Sequence, residues 1–191
     1  MKSLEIELNA SDELTLSIIE SGLVTWGDLL RSVRNFRYGR NENRADFSLV
    51  WTEQKGSCSS KHAFLKTIAD LNKIPGIRLC LGIYKMNGSN TPGVRNVLAK
   101  YSLDYLPEAH CYLKTVDGYL DLTSTNSNYE RFSMDVLEEF EIVPKQVVFE
   151  KNQMHKAYLA KWIKDESIPY ALNTLWEIRE ECIQQLEINE R

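Results

Sequence analysis

The chain reads as an α+β domain, and three observations carry that reading. Helical patterns dominate up to residue 72 and again from residue 152, and the β-type runs are gathered between them. Asp117-Gly118 is a strong hairpin signal, so neighbouring strands are joined by a turn and not by the long crossovers of βαβ units. The 191 residues, 43 % apolar and 26 % charged, suffice for one domain with a full core. We therefore expect a single domain over 1–191, with a helical lobe at 1–50, a core carrying the chemistry at 51–150 and C-terminal helices at 151–191.

The elements follow in order. Ser11-Asp12-Glu13 opens a helix through Leu14, Leu16, Ile18 and Ile19. Thr25 is a good N-cap, with Asp28 three residues on, ahead of Leu29, Leu30 and Val33. Gly39 and the polar run after it end that segment, and a short helical turn fits 46–53. The next helix begins near Ser57 and runs to about Asn72, with Ala63, Phe64, Ile68 and Leu71 as its apolar stripe. Ile74-Pro75-Gly76 stops it. Residues 77–84 form a β-type run. Thr91-Pro92 reads as an N-cap with proline at the first helical position. Strands are expected at 110–116, 119–123 and 142–149. Asn152 starts a helix with Met154, Tyr158 and Trp162, and Ser167-Ile168-Pro169 starts the last one.

Composition narrows the function classes. The formal charge is −4, no match as a whole for nucleic acid. A basic patch does exist: Arg31, Arg34, Arg37, Arg40 and Arg44, interleaved with Phe36 and Tyr38. Spacing of three on a helix more often makes a solvated face, and Asp28, Glu42 and Asp46 dilute this one. No apolar run is long enough for a signal peptide or a membrane span, so no membrane partner is expected. Cys58, Cys80, Cys111 and Cys182 show no disulfide framework, and a reducing cytoplasm is the natural reading.

The chemistry gathers at residues 54–65. There a polar, glycine-containing turn runs into a helical pattern with Cys58 at the junction. Free backbone N–H groups and the positive helix end favour thiolate, the reactive form of cysteine. A thiol nucleophile needs a base and a group to orient that base. Only His62, His110 and His155 are available. His62 lies one helical turn from Cys58, and His155 sits in an amphipathic helix. His110 begins a strand, and Asp121 lies on the segment that returns. A two-residue turn at Asp117-Gly118 sets Asp121 opposite Lys114, roughly 13 Å from His110 at strand rise. A four-residue loop over 115–118 sets it opposite Tyr112, a diagonal neighbour of His110 at roughly 7–8 Å. The pairing needs the second register. Cys58, His62, His110 and Asp121 could instead hold a metal, but catalytic zinc draws more on histidines and carboxylates, so no metal or cofactor is expected.

Three blocks in this order resemble the transglutaminase-like group of papain-like cysteine enzymes: residues 55–61 around Cys58, residues 76–82, and His110-Cys111-Tyr112 with Leu120-Asp121-Leu122-Thr123. The resemblance covers about 50–125. It departs from the family at Tyr112, where tryptophan is frequent, at Leu122, where proline is frequent, and in the short spacing from His110 to Asp121. It implies a cysteine helix packed on an antiparallel sheet, with Cys58 as nucleophile, His110 as base and acid, and Asp121 as orienter. It also implies acyl transfer at a peptide or protein carboxamide: a peptidase, amidase, deamidase or transamidase. The Cys58 N–H would be one oxyanion donor, and Gln54 or Trp51, just upstream, the second. The other reading is a non-catalytic binding module that keeps this fold and uses the cleft or the helical flanks for a partner.

Overall fold

The computed structural model describes residues 2–189, so Met1 and residues 190 and 191 of the expected terminal lobes lie outside it. The fold is α+β, 49 % helix and 19 % strand. Its centre is a four-stranded antiparallel sheet in the order β5-β4-β3-β6, where β3 is Arg78–Met86, β4 Leu106–Thr115, β5 Gly118–Leu120 and β6 Val136–Ile142. Both faces are covered. Leu79, Leu81 and Ile83 alternate with Cys80, Tyr84 and Met86 along β3, and the two sets belong to different apolar clusters. The first set joins Phe64, Leu65 and Ile68 of α4 (Cys58–Leu71), together with α1 (Glu13–Glu20) and α2 (Trp26–Asn35). The second joins α5 (Arg95–Lys100), α6 (Glu150–Asp165) and α7 (Leu172–Asn189).

Local chemistry accounts for the helix starts. Asp12 caps α1 by accepting from the Thr15 N–H, and Thr25 with Asp28 forms a reciprocal capping box on α2. Two short strands join the N-terminal segment to the turn before α4. These are β1 (Arg37–Tyr38) and β2 (Lys55–Gly56), paired in parallel and separated by the one-turn helix α3 (Leu49–Thr52).

Several boundaries differ from those the sequence implies. The last strand is not 142–149 but Val136–Ile142, and Pro144–Val147 is a 3-10 turn. Pro144 has no N–H to give a ladder, and Gln146 Oε1 accepts from the Val143 N–H to close the turn. Glu138, Glu139 and Glu141 hide β6 from a propensity reading, yet charge on an exposed edge strand guards it against pairing with other chains. The strand placed at 119–123 ends at Leu120, so Asp121 lies just past it. Thr91 makes no side-chain cap, and Pro92–Val94 is a 3-10 turn ahead of α5. Helix α6 begins at Glu150 and α7 at Leu172. No helix of the described residues is long and apolar enough to cross a membrane.

One irregularity in the sheet makes room for a site. Strand β5 pairs only with Leu113, Lys114 and Thr115. The rest of β4 therefore shows a free edge, and Pro107 sits there without breaking a ladder. His155 of α6 covers this edge, its Nε2 donating to the Pro107 carbonyl at 2.7 Å. The N-terminus of α4 meets the same edge near Cys111.

Candidate active site

Cys58 is the first residue of α4 because Ser57 and Ser60 cap the helix reciprocally. The Ser57 N–H donates to Ser60 Oγ at 2.9 Å and the Ser60 N–H to Ser57 Oγ at 3.4 Å. The turn that feeds the helix is tight. A Cβ on Gly56 would stand 2.7 Å from Lys61 Cγ and 2.9 Å from Ser60 Oγ. Lys61 cannot give way easily, since its buried Nζ donates to the carbonyls of Phe36 and Thr123 at 2.6 and 2.7 Å. Gly56→Ala is expected to destabilise the fold by about 1–3 kcal/mol, read as a lower urea midpoint at unchanged slope.

His110 projects from β4 into a ring of aromatics. Tyr84 and Phe132 meet it edge-on, at centroid distances of 6.0 and 5.2 Å. Its Nε2 lies 3.0 Å from Asp121 Oδ2. The hairpin uses the register that sets Asp121 near Tyr112: Thr115 pairs with Gly118 and Leu113 with Leu120. The turn itself is only Val116-Asp117, and Gly118 closes it at φ 128°. Side chains of α4 finish the placement. His62 Nδ1–H donates to the Cys58 carbonyl at 2.7 Å, and its Nε2 accepts from the Leu122 N–H at 2.9 Å. Lys61 holds the Thr123 carbonyl, and Asp121 Oδ1 accepts from the Thr123 N–H and Oγ1. The segment 121–123 is thus fastened to the helix that carries Cys58.

No protein-family model, curated protein or solved structure matches the chain. Geometry and charge are therefore what bear on the site.

A buried lysine that the sequence reading passed over, Lys151 of α6, stands beside the thiol. Its Nζ is 3.7 Å from Cys58 Sγ and 2.6 Å from Ser59 Oγ. Burial raises the Cys58 pKa, but the Lys151 ammonium, the His110 ring and the Cys111 backbone N–H outweigh it and bring the thiol to about 5. Burial lowers the His110 pKa, while Asp121 and Cys58 raise it to about 10. Asp121 is held far below the carboxylate range, since the charge of and hydrogen bond from His110 outweigh its burial. At neutral pH these directions give thiolate, imidazolium and carboxylate side by side. Burial drives His62 down to about 4, so it is a neutral support and not the base. Both of its ring nitrogens are occupied, which leaves neither for a metal. Among the described residues no group of three or more His, Cys, Asp or Glu side chains is arranged to hold one.

These groups open onto a cleft of about 550 Å³, within the usual range for small-molecule and peptide side-chain sites. Cys58, His110, Asp121, Ser59 and Lys151 line it, together with Tyr38 and with Trp176 and Arg179 of α7. The two residues expected as the second oxyanion donor are not there. Trp51 is partly buried and packs on Phe36 at a centroid distance of 6.0 Å, against the core. Gln54 is exposed and takes a left-handed φ of 46°, where the chain turns from α3 into β2.

The arginine patch is not one continuous face. Arg34 donates to the carbonyls of Ser124, Thr125 and Ser127, and Arg31 pairs with Asp28. Arg40 pairs with Glu180 of α7, and Arg40 and Arg44 line the cleft. Arg179 grips Glu108 of β4 through two short bonds, 2.6 and 2.9 Å. Cys80, Cys111 and Cys182 are buried thiols, as core packing predicts, and His155 is buried on the side of α6 that meets β4, its ring edge-on to Trp176 of α7. Lys151 and Tyr38 have no motif of their own; only tertiary packing brings them to Cys58.

Proposed function

We propose that this protein is a transglutaminase-like thiol enzyme of the papain-like fold class, transferring the acyl group of a carboxamide through Cys58, His110 and Asp121. The observation that carries this reading is the 3.0 Å contact between His110 Nε2 and Asp121 Oδ2. It commits one ring nitrogen to the carboxylate and leaves the other toward the Cys58 thiol.

In this reading thiolate Cys58 attacks the carbonyl carbon. The C–S bond forms and the carbonyl π pair becomes an oxyanion, with the Cys58 N–H at the open first turn of α4 as one donor. The oxyanion collapses, the C–N bond breaks and the leaving nitrogen takes the proton of His110. Neutral His110 then accepts a proton from water or from an amine as that nucleophile attacks the thioester. The C–S bond breaks and the thiolate is restored. Water gives hydrolysis or deamidation, and an amine gives transamidation. Asp121 keeps the ring oriented and cationic in the resting state, and the aromatics around His110 limit water at the ring.

A glutamine-containing peptide and p-nitrophenyl acetate test the reading. The expected result is a burst of p-nitrophenolate equal to the enzyme present, an acetyl group located on Cys58 by mass spectrometry, and ammonia released from the peptide. Cys58→Ala should lose all three. A wild-type protein whose Cys58 stays unmodified by the ester would remove the proposal.

A further inference from the structure

Lys151 is a cation in an unusual position. It is 4 % exposed, and lysine is almost never buried so far without a carboxylate. Among the described residues it makes no ion pair with one. Its ammonium has three N–H groups. Ser59 Oγ and Cys58 Sγ account for two, at 2.6 and 3.7 Å. Lys151 also lines the cleft, so the third is available to a molecule held there. The place for a second oxyanion donor is open as well, since neither Gln54 nor Trp51 reaches the cleft.

We propose that Lys151 is a catalytic residue: its Nζ is the second donor to the oxyanion formed when Cys58 attacks a carbonyl. This rests on the reading of Cys58 as the nucleophile. The distances suit it. A carbonyl oxygen on a carbon newly bonded to Sγ falls within hydrogen-bond reach of an Nζ 3.7 Å from that sulfur. The charges suit it too. Before attack the thiolate, imidazolium, Asp121 carboxylate and ammonium sum to zero. Attack moves one negative charge from sulfur to oxygen, and both positions adjoin the same ammonium. Lys151 therefore keeps a counter-charge through the step, in a buried setting where a preorganised donor is most effective. Ser59 fixes the ammonium from α4, and the charges that face it come from every neighbouring element: Cys58 on α4, Glu108 and Cys111 on β4, and Arg179 on α7.

A lysine that served only as thiolate counter-ion, or only tied α6 to α4, would look the same at rest. Two covalent probes separate these roles. Iodoacetamide alkylates a thiolate without forming an oxyanion, whereas p-nitrophenyl acetate acylates it through one. Each rate is measured against pH, and the plateau above the thiol titration is compared, which removes the effect of a changed thiol pKa. In Lys151→Met the plateau for alkylation should stay near wild type while that for acylation falls about 10²-fold or more. Lys151→Arg keeps charge and donors, and should recover part of the acylation at an unchanged alkylation plateau. If Lys151→Met does not fold, Lys151→Arg decides alone: a loss in acylation larger than that in alkylation supports the proposal, and any other pattern overturns it. Equal losses for both probes in Lys151→Met, or unchanged acylation, also overturn it. Wild-type Cys58 reacting with neither probe faster than free cysteine would defeat the nucleophile reading, and this proposal with it.

Discussion

His110→Ala is expected to move the half-point of Cys58 labelling by iodoacetamide from about 5 up toward the ordinary thiol value of 9.0. The direction follows from the two opposed influences on the thiol. Burial pushes its pKa up, and the cations and donors around it pull it down; removing His110 takes away one cation and one hydrogen bond. In the wild type the thiolate is formed above the half-point, so labelling at neutral pH is already at its plateau. In the variant much of the thiol is protonated at neutral pH and labelling there slows. Lys151 remains and still draws the thiol pKa down against burial. A half-point that stays put in His110→Ala would mean that His110 does not contact the thiol.

Arg179→Met is expected to lower stability by about 3–5 kcal/mol, the cost of leaving one member of a buried ion pair without its partner. Both side chains are largely shielded, 12 % exposed for Arg179 and 5 % for Glu108, and the contact is a two-point grip. Arg179→Met with Glu108→Gln should recover part of the loss, since no uncompensated charge is then buried. The pH dependence has a fixed sign. Arg179 outweighs burial and brings Glu108 down to about 2 from its ordinary 4.5. A carboxylate whose pKa is lower in the folded state stabilises the fold above its unfolded pKa and loses that contribution as pH falls through the folded value. Wild type should therefore lose stability from about pH 4.5 toward 2, and Glu108→Gln should show a flatter profile over that window. Denaturant midpoints across the acid range measure both effects.

Much of this architecture could be read from short-range chemistry. Asp12, Thr25 with Asp28, and Ser57 announce three helix starts because a cap is a contact over three residues. Asp117-Gly118 marks the hairpin, and the spacing from His110 to Asp121 selects its register, because only one register allows the two side chains to meet. Strand β6 was hidden because its glutamates oppose the intrinsic preference that sheet pairing overrides. Trp51 and Gln54 were misplaced because nearness in sequence to Cys58 says nothing about the side of the turn a side chain takes, and the left-handed residue at 54 reverses it. Lys151 was invisible for the opposite reason. Ninety-three positions separate it from Cys58, and the packing of α6 over the free edge of β4 is what closes that gap.

The fastening of residues 121–123 to α4 also decides which part of the chain is at liberty to vary. Lys61 and His62 hold that segment directly, so the position of Asp121 does not depend on the tip of the hairpin. Val116 at that tip is 82 % exposed, and Gly118 lies in open space, although its φ of 128° favours glycine at that one position. The turn can therefore lengthen, accept a tag or be cut there while the carboxylate stays at its post. Exchange of amide hydrogens would follow the same division: the Leu122 N–H, held by His62, opens with α4, and the tip opens by itself.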